Sequence, residues 1–243
     1  MPNRRSPSSL IYILPNFFTA AGIFSGVLSM LSAVSGSYEK AAWLIMIAML
    51  FDGLDGRVAR LTNTCSKFGV EFDSLADVVA FGVAPALLVY TYVGVDYGRY
   101  GVVVSALFVI FGAIRLARFN VMTAKTEPSV FIGLPIPTAA VFVALLVLLF
   151  THFGGMKSLG YVILVLTVAV ALLMVSNIRY PSFKKVDLHA MHVTRSFVAI
   201  VFAALLVFLY PIVGLALLFG LYILYGPLRA LIYVPRRFRR LKK

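Results

Sequence analysis

Long apolar runs separated by short polar breaks make up most of this chain. A run of about 20 apolar residues is long enough to cross a bilayer as a helix. Eight such runs are predicted near residues 10–34, 40–61, 68–93, 100–122, 133–153, 158–177, 194–210 and 212–233. Residues 196–225 are almost continuously apolar, and Pro211 and Gly214 supply the one turn between the last two runs. Without that turn the count falls to seven. The predicted fold class is therefore all-α, a polytopic membrane helix bundle of about eight transmembrane helices. No internal repeat or low-complexity tract stands out. The chain reads as one integral membrane domain over 1–243, with flexible basic ends at 1–8 and 236–243. Pro15, Asn16 and the long run that continues past them do not fit a cleavable signal peptide.

Composition agrees with this pattern. Hydrophobic residues make up 61% of the chain and charged residues 13%, which excludes a soluble globular domain. The net charge of +13 does not imply nucleic acid, because the basic residues are dispersed through loops and gather in a run from Pro235 to Lys243. If the N-terminus is cytoplasmic and all eight spans hold, only Lys40, Arg99 and Lys157 fall outside, a strong positive-inside bias. This layout predicts an inner, cytoplasmic membrane location and puts the loop between spans two and three on the cytoplasmic side. The basic C-terminal run either retains its end in the cytoplasm or contacts anionic lipid headgroups.

That loop carries the chemistry. Asp52, Asp55, Asp73 and Asp77 lie within FDGLDGRVARLTNTCSKFGVEFDSLAD, between membrane-grade apolar segments. Ionised carboxylates in a membrane are costly and normally face an interior cavity that has a function. Clustered, they repel one another unless cations sit among them. Asp52, Asp55, Gly56, Ala59 and Arg60 share one helix face, and Gly69, Asp73 and Asp77 share one face of a second helix. The polar stretch Thr62–Ser66 is a natural break, so an antiparallel pair would aim all four carboxylates into one cavity. Oxygen-only ligation suits a hard divalent ion such as Mg²⁺, Mn²⁺ or Ca²⁺, not zinc. Gly56 and Gly69 leave bare backbone beside the acids, where a base or sugar can approach.

The string D-x-x-D-G-x-x-A-R-x₈-G-x₃-D-x₃-D from Asp52 to Asp77 resembles the signature of the CDP-alcohol phosphotransferases, with every fixed position met. Leu14–Asn16 through Thr19, Ile114–Asn120, Gly133–Thr138 and Tyr180–Phe183 are similar to one branch, the bacterial and archaeal phosphatidylserine synthases. The resemblance implies a six-helix core plus two helices, CDP-diacylglycerol and L-serine as substrates, and a homodimer. It also implies two divalent ions, Mg²⁺ or Mn²⁺, with Asp52, Asp55 and Asp73 as ligands. Asp77 becomes the general base and is counted among the ligands as well. By the same resemblance Gly56, Ala59 and Gly69 line a cytidine pocket, Arg60 orients an aspartate or meets phosphate, and Asn16 and Thr19 reach the nucleotide phosphates.

Serine brings a carboxylate and an ammonium that need partners near the acids. Arg115 and Arg118, three apart in span four, and nearby Asn120 are the candidates for the acceptor or for phosphate. Lys67 and Glu71 are secondary ones. Glycerol 3-phosphate or an inositol phosphate remains an alternative acceptor for the same chemistry. A prenyltransferase would carry its aspartate pairs on well-separated segments, and a cation transporter would hold acids near the bilayer midplane. Cys65 is the one cysteine, which rules out an internal disulfide, and it is read as a small filler. His152, His189 and His192 lack metal spacing and are read as interfacial.

Overall fold

A computed structural model of the chain describes residues 9–62, 64, 66–123, 130–154, 159–181 and 193–240. The expected end at 1–8, Cys65, His189 and His192 lie outside the described residues.

The helices follow the apolar runs. They are α1 (Ser9–Val34), α2 (Tyr38–Leu61), α3 (Lys67–Asp77), α4 (Ala84–Tyr92), α5 (Arg99–Thr123), α6 (Ile136–His152), α7 (Gly160–Val175), α8 (Val193–Leu209) and α9 (Pro211–Arg240). Leu14–Val34, Lys67–Tyr92, Arg99–Met122 and Pro211–Leu231 are long and apolar enough to cross a membrane, and α6 and α7 are shorter apolar helices. Phe24, Leu31, Phe208 and Leu231 are exposed, a large apolar surface that suits a lipid environment. The result is an all-α membrane bundle. The turn between α8 and α9 falls at Tyr210, where Pro211 opens the last helix. That helix runs on through Arg240, into the stretch expected to be a flexible end.

Helix α6 is the core of the bundle. Its residues from Ala139 to Leu148 are nearly all buried, and it packs against α2, α4, α7 and α9. Helix α1 lies along α2, with Ser29 Oγ donating to the Ala41 carbonyl at 2.8 Å. It also approaches the segment joining α3 to α4 at backbone distance. A Cβ on Gly26 would stand 2.8 Å from Ala80 Cα, so only glycine permits this contact.

Two features depart from plain helix. Between α3 and α4 the chain continues without a break through a π turn, Val78–Val83, in which the Ala84 amide bonds to the Val79 carbonyl. Pro85 follows, and because proline has no amide hydrogen it cannot close the α-type bond to Phe81. The wider turn is the local answer to that gap.

The second feature is a two-stranded antiparallel ribbon, β1 (Val130–Ile132) with β2 (Arg179–Pro181), which pairs Phe131 with Tyr180. Gly133 then turns the chain at φ 79° and donates to the Ile178 carbonyl at 2.8 Å. Tyr180 is fully buried and donates to the Ile223 carbonyl of α9 at 3.2 Å. Burial pushes the Tyr180 phenol up to about 12, so this donor stays protonated.

Candidate active site

Helices α2 and α3 meet at the expected polar break, and both pack against α1 rather than along each other. Ser66 caps α3, accepting from the Gly69 amide at 3.0 Å, and Thr62 closes α2 by donating to the Val58 carbonyl at 2.7 Å. With both ends fixed, the aspartates of the two helices converge. Carboxylate oxygens of Asp52, Asp55 and Asp73 all lie within 4.8 Å of one another. Asp77 lines the same small cavity, together with Thr19, Gly22, Ala48 and Phe81. It is buried, and its carboxylate lies within electrostatic range of Asp52, Asp73 and Arg115.

Three oxygens this close, with no nitrogen or sulfur donor among them, fit a hard divalent cation. They would repel one another without one. Helix α1 contributes to the arrangement from outside α2 and α3: Thr19 Oγ1 donates to Asp55 Oδ2 at 2.7 Å.

Next to the carboxylates an open pocket of about 190 Å³ leads out of the bundle. Asn16, Thr19, Gly56, Ala59, Arg60 and Gly69 all line it, as do Asp55 and Asp73. The glycines keep it open. A Cβ on Gly56 would come to 3.5 Å from the Arg60 guanidinium, and one on Gly69 to 3.2 Å from Ser66 Oγ. Thr64 and Ser66 also line the pocket. Sequence reasoning treated them only as a break, although a serine three residues before Gly69 is a helix-cap signal.

The three candidates on α5 have different surroundings. Arg115 is buried and lies within electrostatic range of Asp77 and Asp52. Arg118 points elsewhere: it donates to the Val175 carbonyl at 3.3 Å and to Asn177 Oδ1 at 2.5 Å, which ties α5 to the end of α7. Asn120 donates to Ser74 Oγ at 2.9 Å and so links α5 to α3. Lys67 and Glu71 are exposed and line neither cavity. His152 stacks edge-on against Phe153 at the end of α6, away from the acids.

The fold and site together define an apolar, all-α membrane bundle in which a cluster of carboxylates adjoins an open pocket. The profile of the CDP-alcohol phosphatidyltransferase family matches residues 12–175. The chain belongs to that family. A CDP-diacylglycerol–serine O-phosphatidyltransferase of Helicobacter pylori is 51% identical over 229 residues, covering 92% of this chain and 93% of its own length. The Methanocaldococcus jannaschii protein of the same name is 36% identical over 210 residues, covering 84% of this chain and 94% of its own. An archaetidylserine synthase of Methanothermobacter thermautotrophicus is 41% identical over 183 residues, 74% of each chain. Family membership removes the prenyltransferase and transporter alternatives.

Proposed function

We propose that the protein transfers the phosphatidyl group of CDP-diacylglycerol to L-serine, giving phosphatidylserine and CMP. The observation that carries this reading is the adjacency of the two cavities: the pocket framed by Asn16, Gly56, Ala59 and Gly69 shares Thr19, Asp55 and Asp73 with the cavity lined by Asp52 and Asp77. The names of the relatives described above support serine as the acceptor.

In this reading the acyl chains stay among lipid and helices while the diphosphate reaches the aspartates. The base and ribose approach the bare backbone at Gly56 and Gly69. Asn16 and Arg60, at the pocket wall, meet the nucleotide phosphates. Asp52, Asp55 and Asp73 would hold divalent cations, Mg²⁺ or Mn²⁺ and two per site, whose charge would offset that of the diphosphate and of the departing CMP. Thr19 fixes the orientation of Asp55. Asp77 takes the proton from the serine hydroxyl as that oxygen attacks the phosphorus bearing the diacylglycerol. The phosphorus–oxygen bond to CMP breaks in line with the attack, and CMP leaves with the electron pair. Arg115 receives the serine carboxylate.

The chain is read as a single domain that forms a homodimer in the cytoplasmic membrane with the site facing the cytoplasm. Purified protein given CDP-diacylglycerol and, in parallel, serine, glycerol 3-phosphate, inositol phosphate and inositol tests the assignment. CMP release should require serine. Preference for any other acceptor overturns the synthase reading and leaves family membership untouched.

A further inference from the structure

Helices α8 and α9 lie beyond the matched residues 12–175, yet α9 comes within electrostatic range of a residue beside the acids. Tyr222 of α9 lies within electrostatic range of Arg115, which is itself within range of Asp77 and Asp52. The seating of α9 is fixed separately from this contact. Tyr180 of the ribbon lies with its ring 5.5 Å from that of Tyr222 and bonds to the carbonyl of the next residue, Ile223. One turn further along, a Cβ on Gly226 would stand 2.3 Å from Tyr180 Cζ, so the ring fits only against glycine. Tyr222 and Gly226 are four apart and share one helix face. The contact that docks α9 therefore also sets the direction of Tyr222.

Arg115 is only 6% exposed, and its Nε has no hydrogen-bond partner. Its guanidinium lies over the Phe119 ring at 5.2 Å. A guanidinium has five donors and no acceptor, so a buried one with an unmade bond is set up for an anion that arrives from outside. A tyrosine hydroxyl can accept from a guanidinium without adding a charge that would compete with that anion.

We propose that Tyr222 is a positioning residue that holds the Arg115 guanidinium toward Asp77, where it receives the carboxylate of the acceptor amino acid. The proposal deepens the synthase reading and rests on it. Two anions reach this site, the acceptor carboxylate and the lipid phosphate, and both are chemically suited to a guanidinium. Tyr222 takes no part in the proton transfer, so its effect falls on affinity rather than on turnover.

The test uses the full chain in nanodiscs, with serine and CDP-diacylglycerol each varied at saturation of the other. Tyr222→Phe keeps the ring that packs against Tyr180 and removes only the hydroxyl. We expect the serine KM to rise about tenfold, roughly the effect of one lost contact, with the loss in KM and not in kcat. The KM for CDP-diacylglycerol should stay within about twofold. In an Arg115→Lys background the same change should add little, because the two residues act as one unit. A rise in the lipid KM in place of the serine KM assigns Arg115 to the phosphate and overturns the proposal. A fall in kcat alone, or fully additive losses, also overturns it. If the parent enzyme prefers another acceptor, the synthase reading itself has failed. An unchanged serine KM in a variant of an enzyme that uses serine normally refutes only the role of Tyr222.

Discussion

Thr19 Oγ1 and Asp55 Oδ2 are 2.7 Å apart, joining α1 to the aspartate helix across a separation of 36 residues. A hydrogen bond to a charged group contributes about 1.5–3 kcal/mol. Thr19→Val keeps the shape and removes the donor. Activity should fall about tenfold or more, and the cation concentration for half-maximal activity should rise. Thr19→Ser should restore both. Activity titrated against Mg²⁺ and Mn²⁺ reads the outcome, and an unchanged cation requirement in Thr19→Val would refute the positioning role.

The aspartate cluster should behave as a cation seat. Asp52→Asn or Asp73→Asn removes one charged oxygen from a group held within 4.8 Å. Activity should drop by orders of magnitude while protein yield holds, because a mutual repulsion has been relieved. Chelator-treated parent enzyme should be inactive and recover with Mg²⁺ or Mn²⁺. Full activity in excess chelator would count against any cation role.

Asp77→Asn should separate binding from transfer. CDP-diacylglycerol should still bind, and kcat should collapse with little change in affinity. Direct attack by the acceptor leaves no lasting phosphatidyl adduct on the protein. Mass spectrometry of the enzyme quenched without serine checks this, and a trapped lipid–protein intermediate would contradict it.

Stability should depend on Gly133 more than on an ordinary loop glycine. Its φ is 79°, and a Cβ there would lie 2.2 Å from the Met174 carbonyl oxygen. Gly133→Ala should therefore cost about 1–3 kcal/mol through strain and displaced packing. Thermal unfolding in detergent or nanodiscs should show a lower midpoint. An unchanged midpoint would mean that the ribbon shifts freely.

Local periodicity made the convergence of the aspartates legible. Asp52, Asp55 and Arg60 recur at helical spacing, as do Gly69, Asp73 and Asp77, and the break between them is polar. Pro211 marked the last turn for the same reason, since proline acts on its own neighbourhood. The ribbon was not legible: each strand is three residues long, too short for an alternating pattern, and each depends on a partner about fifty residues away. The π turn had a local cause in Pro85, but its consequence appears only once α1 packs against Ala80. The uses of Arg118 and Asn120 were also hidden. Their partners, Asn177 and Ser74, are set by how α5 packs against α7 and α3. Spacing along one helix carries no information about that packing.

The π turn at Val78–Val83 separates two duties of a single continuous helix. An α-helix advances about 100° per residue, so one additional residue offsets everything before it by about that angle relative to everything after it. Asp73 and Asp77 lie before the turn, and the buried face of Ala86, Leu88 and Val89 lies after it. The offset changes which of the residues after the turn share a face with Asp73 and Asp77, and so which side of α4 packs into the bundle. Chain length is consequently fixed within this segment: a one-residue deletion between Asp77 and Ala84 would rotate the acids out of phase even if every side chain named here were kept.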